Sequence, residues 1–410
     1  MKKISLSFLA VLFSFIQAFS QTKDVTQPSA NPNYEDRKLK IEEINLVGSY
    51  YHQDGNNSAV TGGIGSELLT DFSNSLDLRL SKKDKKSRVH NFGFEMGFDT
   101  YTSASSDMID PTTITSQSYE DQRYYPSIFW SINNPKKGRT FGANVSYSQE
   151  WDYKSYGGGL NFTQSFNENN TELSLKANAF FDKWWIILPD ELRPEGYPSG
   201  TERRFSELPV KPRNSFNFSA SLSQVVNERL QVSIIAEPNF QKGQLATPYQ
   251  RVYFNTTTDD SLRIEKLPSE RWKLPIGVRA NYFIGDNVIA RAFYRYYFDQ
   301  WGLKAHTLEL EAPVKINPFL SITPNYRYYR QNGIASFAPY KQHLTTNEFY
   351  TSDYDLSKLQ SHSFGAGIRW KPLNGVLGMK HWTKVELRYS HYRRSTALTS
   401  NIVSLLMSFK

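Results

Sequence analysis

The sequence predicts an all-β fold, a transmembrane antiparallel β-barrel of about 16 strands with short periplasmic turns and long extracellular loops. Three observations predict it. The C-terminal segment 398–410 alternates, with Val403, Leu405, Met407 and Phe409 on one face and Ile402, Ser404, Leu406, Ser408 and Lys410 on the other. An alternating strand that ends in an aromatic suits the closing strand of such a barrel, one face toward lipid and one toward the lumen. The chain also carries 25 Tyr, 27 Phe and 8 Trp, yet shows no long apolar run beyond its N-terminus. Strands that are only half apolar combine many aromatics with low mean hydropathy. Finally, strand-like segments recur to the end of the chain, and their connections alternate between short and long.

The N-terminus opens with Lys2-Lys3, continues through an apolar run at 4–16 and reaches Ala18-Phe19-Ser20. This pattern predicts a secretory signal peptide over 1–20, cleaved after Ser20. The run is too short to span a bilayer as a helix. Residues 21–40 are rich in Gln, Thr, Ser, Pro, Asn and charge and predict a flexible leader, leaving 41–410 for the barrel. The chain has no Cys, so an exported fold must be held by packing and strand pairing without disulfides. The net charge is +8, but only Lys82-Lys83-Asp84-Lys85-Lys86 forms a basic run, which fits a solvated turn. Nucleic acid is therefore not an expected partner.

The predicted strands fall at 42–53, 67–81, 87–101, 120–133, 139–152, 155–166, 171–183 and 213–226, then at 230–241, 272–284, 287–299, 303–316, 319–331, 361–371, 381–393 and 398–410. Short connections include 82–86, 134–137, 167–170, 227–229, 285–286 and 317–318, and long ones include 54–66, 102–119, 184–212, 242–271 and 332–360. An even strand number places both termini on the periplasmic side.

The strands alternate internally as well. In 287–299, Val288, Ala290, Ala292, Tyr294, Tyr296 and Phe298 oppose Arg291, Arg295, Tyr297 and Asp299, with Phe293 on the charged side. In 303–316, Leu308, Leu310, Ala312 and Val314 oppose Thr307, Glu309, Glu311 and Lys315. A soluble β-sandwich shares this period but turns its charged face to water. Two features favour the barrel. Apolar faces end in aromatics at the outer end of the strand, as in Tyr294, Tyr296 and Phe298, Tyr326 and Tyr328, and Trp184-Trp185. Gly157-Gly158-Gly159 and Gly365/Gly367 lie within strands, where a curved wall needs a close approach or a bend.

The sharpest constellation is a lumen charge cluster. Hairpin pairing about 300–302 places Arg291 near Glu311, and Arg295 near Thr307 and Glu309. Arg327 falls near Thr307 or Glu309, provided that the turn at 317–318 carries an extra residue or bulge. The functional reading is a charged constriction. The structural reading, a ladder of cross-strand ion pairs filling the interior, carries more weight because it needs no transport.

Other chemistry is weakly supported. Asp99, Asp107, Asp110 and Asp121 match no metal-loop spacing. The seven His residues, at 52, 90, 306, 343, 362, 381 and 391, show no ligand spacing, and His306 suits a membrane interface. There is no Gly-x-Ser-x-Gly elbow and no phosphate-cradling glycine loop. No cofactor or metal is expected. Were the protein an enzyme, Asp299, His306 or Asp353 would be the residues to inspect.

Several segments carry a resemblance. They are Asp99-Thr-Tyr-Thr-Ser-Ala-Ser-Ser-Asp107, Asp152-Tyr-Lys-Ser-Tyr156 with Asn169-Asn-Thr-Glu-Leu173, and Tyr296-Tyr-Phe-Asp-Gln-Trp-Gly302. His306-Thr-Leu-Glu-Leu310, Pro324-Asn-Tyr-Arg-Tyr-Tyr329 and Ser352-Asp-Tyr-Asp-Leu-Ser357 complete the set. Together they resemble the bacterial family called domain of unknown function 3570, across most of the chain after the signal peptide. The resemblance implies an outer-membrane barrel and supplies no reaction. One departure from general barrel endings is Lys410, which follows the penultimate Phe409.

The expected function is a non-enzymatic outer-membrane barrel, porin-like, in contact with membrane lipid. It acts as a pore or as the membrane component of an envelope complex with protein partners. The alternatives are an enzyme with its site in the extracellular loops and a plugged structural or interaction barrel.

Overall fold

In the hydrocarbon core of a bilayer, an extended chain satisfies its backbone N–H and C=O groups only by pairing on both sides, so a spanning sheet must close on itself. The computed structural model describes residues 37–102, 120–197, 208–256 and 261–410, and shows this closure. The expected signal peptide and nearly all of the expected leader, with Asp107 and Asp110, lie outside the described residues.

Sixteen barrel strands run in chain order among the described residues. They are β1 (Lys40–Gly55), β2 (Leu69–Lys83), β3 (Val89–Thr102), β4 (Glu120–Asn134), β5 (Arg139–Gln149), β6 (Tyr153–Phe166), β7 (Thr171–Trp185) and β8 (Val210–Asn227). Next come β9 (Leu230–Ala236 with Asn239–Gly243), β10 (Glu270–Ile284), β11 (Val288–Asp299) and β12 (Lys304–Glu311 with Val314–Asn317). The last four are β13 (Leu320–Gln331), β14 (Leu359–Trp370), β15 (Trp382–Arg394) and β16 (Leu398–Phe409).

Each strand pairs antiparallel with its neighbours in sequence, and β1 pairs with β16 from Ile44↔Phe409 to Gly55↔Leu398, so the barrel has no free edge. The sequence-based segments correspond strand for strand. Two that were expected to be continuous are each interrupted before a proline. β9 breaks at Glu237-Pro238 and β12 at Ala312-Pro313, because proline has no N–H to give to the ladder. The broken ladder is partly made good: the Glu237 amide donates to the Pro275 carbonyl at 3.0 Å and the Phe218 amide to the Pro238 carbonyl at 2.9 Å.

The two faces separate by polarity. On the outward face Ile128 (57%), Val145 (61%), Phe181 (52%), Tyr294 (45%) and Tyr389 (49%) are exposed where a soluble protein would bury them. The inward face is joined by polar cross-strand contacts such as Ser49–Ser404 (2.9 Å), Thr163–Ser174 (3.1 Å) and Ser363–Ser390 (2.8 Å). In β16, Val403, Leu405, Met407 and Phe409 belong to the outward set, and Phe409 stacks on Trp382 at 5.9 Å. One expected girdle member moves. Trp184 is 8% exposed and turns inward, donating to Asp152 (3.2 Å) and meeting the Tyr153 ring edge-on. Asp152 and the inward-facing Arg213, whose guanidinium lies 5.4 Å from the Trp184 ring, offer that indole polar partners that lipid lacks.

Glycine placement follows the same two faces. A Cβ on Gly158, which faces outward, meets nothing nearer than 3.8 Å. A Cβ on Gly243 would lie 2.1 Å from the Pro212 carbonyl oxygen, at a φ of 118° that L-residues rarely adopt. Gly243→Ala is therefore expected to destabilise the barrel by roughly 2 kcal/mol or more, whereas Gly158→Ala stays within about 0.5 kcal/mol. Urea unfolding in detergent micelles measures both, and equal midpoints would contradict this account of the wall.

Candidate functional site

The site is built from two layers: the charged inner wall on β10–β15, and the long loops above it at the extracellular mouth.

On the inner wall, the register sets Arg291 opposite Glu311, Arg295 opposite Thr307 and Glu309 opposite Arg327. Arg291 Nη1 reaches Glu311 Oε1 at 3.0 Å, and Arg327 Nε reaches Glu309 Oε1 at 3.3 Å. The bulge that Arg327 requires is present as a register shift between Lys315 and Asn317. Among the described residues Arg295 has no carboxylate within ion-pair distance, and its Nε is buried without a hydrogen-bond partner. Arg279 of β10 joins the group with its guanidinium 5.0 Å from the Phe293 ring centre. Gln231, Arg279, Asn281, Arg291, Glu309 and Glu311 line one cavity of about 380 Å³. A second cavity of about 330 Å³ is lined by Glu309, Glu311, Asn325, Arg327, Ser363 and Arg388. A larger apolar depression, about 900 Å³, lies on the outward wall among Ala143, Gly158, Ala177, Phe216, Phe240 and Trp272, where lipid covers it.

The residues named for possible enzyme chemistry are held apart. Asp299 is clamped by Arg271 and by Tyr297 Oη (2.7 Å). His306 faces outward, its Nδ1 2.7 Å from Tyr294 Oη. Asp353 caps a single helical turn by accepting from the Asp355 amide at 2.8 Å. Of the four aspartates weighed for a cation, Asp99 accepts from Tyr125 Oη (2.9 Å) and Asp121 from Tyr101 Oη (3.3 Å).

The upper layer was not anticipated. The loop between β9 and β10 contains a two-stranded ribbon, Arg251–Tyr253 with Leu262–Ile264. Val252 and Phe254 from this ribbon are 0% and 1% exposed and pack with Tyr350 of the β13–β14 loop. Backbone bonds knit the two loops: the Asn255 amide donates to the His343 carbonyl (2.8 Å), and Lys266 and Tyr350 exchange bonds of 3.1 and 2.8 Å. Arg251, 2% exposed, pairs with Glu191 of the β7–β8 loop at 2.5 Å. Its Nη1 also donates to the Val60 carbonyl of the β1–β2 loop at 2.9 Å.

That last contact decides the shape of the mouth. The β1–β2 and β9–β10 loops stand eight strands apart in a ring of sixteen, so a direct bond between them crosses the opening. The assembly is tied to the rim by Arg394 of β15, which pairs with Asp355 and with Glu67 (3.8 Å). A sequence signal was available, since 251–254 and 261–265 are short apolar-alternating runs inside what reads as a solvated loop.

Several carboxyls at the extracellular end of the barrel sit above their ordinary range. Burial is the dominant cause for Glu265, raised to about 7, although Thr351 Oγ1 (2.5 Å) and the Thr247 amide (2.7 Å) both donate to it. Burial first, then the nearby Asp355 charge, raises Asp353 to about 7, and burial raises Asp152 to about 6. A carboxyl whose folded pKa is raised holds its proton more tightly in the folded loops than in opened ones. Its stabilisation is complete below the ordinary value of 4.5 and is lost as pH rises through about 7. The loop assembly is expected to weaken by about 3 kcal/mol between pH 4.5 and 8 through Glu265. Limited proteolysis of the loops should accelerate over this range, and Glu265→Gln should flatten the dependence. An unchanged pH profile in that variant would remove Glu265 from the account.

Known proteins give the following comparisons. The solved structure of Pseudomonas aeruginosa OccK9 (OpdG) is 8% identical with a TM-score of 0.41, covering 91% of this chain and 98% of its own. A loop L8 deletion mutant of OmpT, an outer membrane protein of Vibrio cholerae, is 8% identical with a TM-score of 0.45, covering 90% and 99%. A mutant of the ferric enterobactin receptor PfeA from Pseudomonas aeruginosa is 9% identical with a TM-score of 0.44, covering 87% of this chain and 54% of its own. Comparison with curated proteins gives no significant match. With its closed antiparallel wall and apolar outward face, the protein is a β-barrel of the outer membrane. A family model described as "Protein of unknown function (DUF3570)" matches residues 32–401, and the chain belongs to that family.

Proposed function

We propose that the protein is a gated channel for small anionic solutes, closed at rest by its loops. The observation that carries this reading is the pairing of a loop bridge across the mouth with a charged wall beneath it. An open diffusion pore needs no packed crossing of its opening, and a solid plug needs no unpaired charge below it. Around Glu309 and Glu311 stand five arginines (279, 291, 295, 327 and 388); Arg388 is paired with Glu386, and the other four against the two glutamates leave a surplus of two positive charges. Both glutamates are matched by Arg291 and Arg327, so Arg279 and Arg295 set the sign of the field. Fixed charges in a low-dielectric wall attract solutes of opposite sign over the width of such a passage. The plugged structural barrel is the competing reading, supported by the same buried loop residues. Membership of an envelope complex would add partners without changing the lumen.

Planar-bilayer recording separates these readings. The intact protein should give rare, small openings, and a variant lacking the 250–265 ribbon should conduct steadily with a preference for anions. Adding Arg279→Glu and Arg295→Glu to that variant should turn the preference toward cations. Silence from both the intact and the shortened protein would establish the plugged barrel and overturn the channel.

A further inference from the structure

On the outward face of β12–β15, just beyond the aromatic belt, the barrel presents a row of cations. Lys304 and Arg330, on adjacent strands, and Arg393, two strands further on, are all exposed. All three sit at the outer ends of their strands: Lys304 opens β12, and Arg330 and Arg393 are the penultimate residues of β13 and β15. The same alternation that turns Leu308, Tyr328, Phe364 and Tyr389 to lipid turns these side chains outward as well. Among the described residues none of the three cations has an acidic partner. The acid on this face at that height, Asp54, lies two strands from Arg393, across Thr399. Elsewhere on the outer rim Lys242 pairs with Glu270 at 2.8 Å, and the Lys154 ammonium lies 5.4 Å from the Trp185 ring centre.

The tier below consists of Tyr–His pairs, Tyr294–His306 at 2.7 Å and Tyr326–His362 at 2.9 Å. Amphipathic rings of this kind mark the level where hydrocarbon gives way to headgroups. A basic row one step further out therefore stands at the depth of the headgroups. Unneutralised like charges repel, and an anion laid across the row relieves that repulsion.

We propose that β12–β15 form a docking surface for a phosphorylated glycolipid of the outer leaflet, its phosphates bridging Lys304, Arg330 and Arg393. The acyl chains then run down the apolar wall past Leu308, Leu310, Tyr326 and Phe364. Bidentate contacts from the two guanidiniums hold the phosphate oxygens, and Lys304 supplies a point charge. The proposal is independent of whether the lumen conducts.

The test uses the protein refolded in detergent and titrated with bisphosphorylated lipid A, or with the same lipid stripped of both phosphates. Each basic residue near an anionic headgroup contributes about fivefold. Lipid A should therefore bind roughly a hundredfold more weakly to the Lys304→Gln, Arg330→Gln, Arg393→Gln variant, and about fivefold more weakly to each single variant. Lys82→Gln, at the periplasmic end of the outward face, should bind as the unchanged protein does. Heat-modifiable migration in gels reports that every variant is folded. Equal binding of the two lipids, unchanged binding by the triple variant, or displacement by inorganic phosphate at equal concentration would each overturn the proposal.

Discussion

The structure depends on one constraint, the pairing of β1 with β16. In water an unpaired strand edge is solvated, but in hydrocarbon each unsatisfied backbone group costs several kcal/mol. The ladder from Ile44↔Phe409 to Gly55↔Leu398 removes that cost for the first and last strands together. Once the sheet is closed, alternation does the rest. Every second residue must suit lipid, and every other must suit an enclosed polar space. The serine contacts and arginine–glutamate pairs of the interior follow from this division, as do the exposed phenylalanines and tyrosines outside.

Closure also produces an opening at each end, and the long loops answer it at one of them. Extracellular loops that merely extended into water would bury little. Here Val252, Phe254, His343 and Thr351 are at most 1% exposed, a degree of burial otherwise expected of a protein core. Arg251 is the keystone because its single guanidinium meets two other loops, through Glu191 and the Val60 carbonyl. Burying an arginine is costly unless its partners are in place, so the two contacts form or fail together. Glu265 adds a proton-dependent element to the same assembly, with burial holding its carboxyl neutral below about pH 7.

The wall was legible in the sequence because its determinants are local. A period of two, turn residues and the even series of segments are each read within a dozen residues. Arg291, Arg295, Glu309, Glu311 and Arg327 were legible for the same reason, since hairpin counting alone sets their register. The breaks at Pro238 and Pro313 were visible as residues, but what they cost the ladder depends on the neighbouring strand. Trp184 was misplaced because adjacent residues of a strand face opposite ways, and the alternation of β7 puts it on the inward face with Asp182, where Asp152 accepts from its indole. The bridged mouth escaped notice because Val60 and Arg251 are separated by 191 residues and meet only once the ring has closed. No local periodicity encodes that meeting.

The central claim is that the loops bar the route from outside to the charged lumen. The chain has no native cysteine, so a single one can report on that route. Ser363, on the lumen wall beside Glu309 and Arg327, is a suitable position for Ser363→Cys. The measurement is its rate of labelling on whole cells by a membrane-impermeant maleimide, with the loops intact and with Arg251→Ala added to open the bridge. The account predicts slow labelling with intact loops and labelling at least tenfold faster once the keystone is removed, as expected for about 1.4 kcal/mol or more of closure. Equal, rapid labelling in both would contradict it.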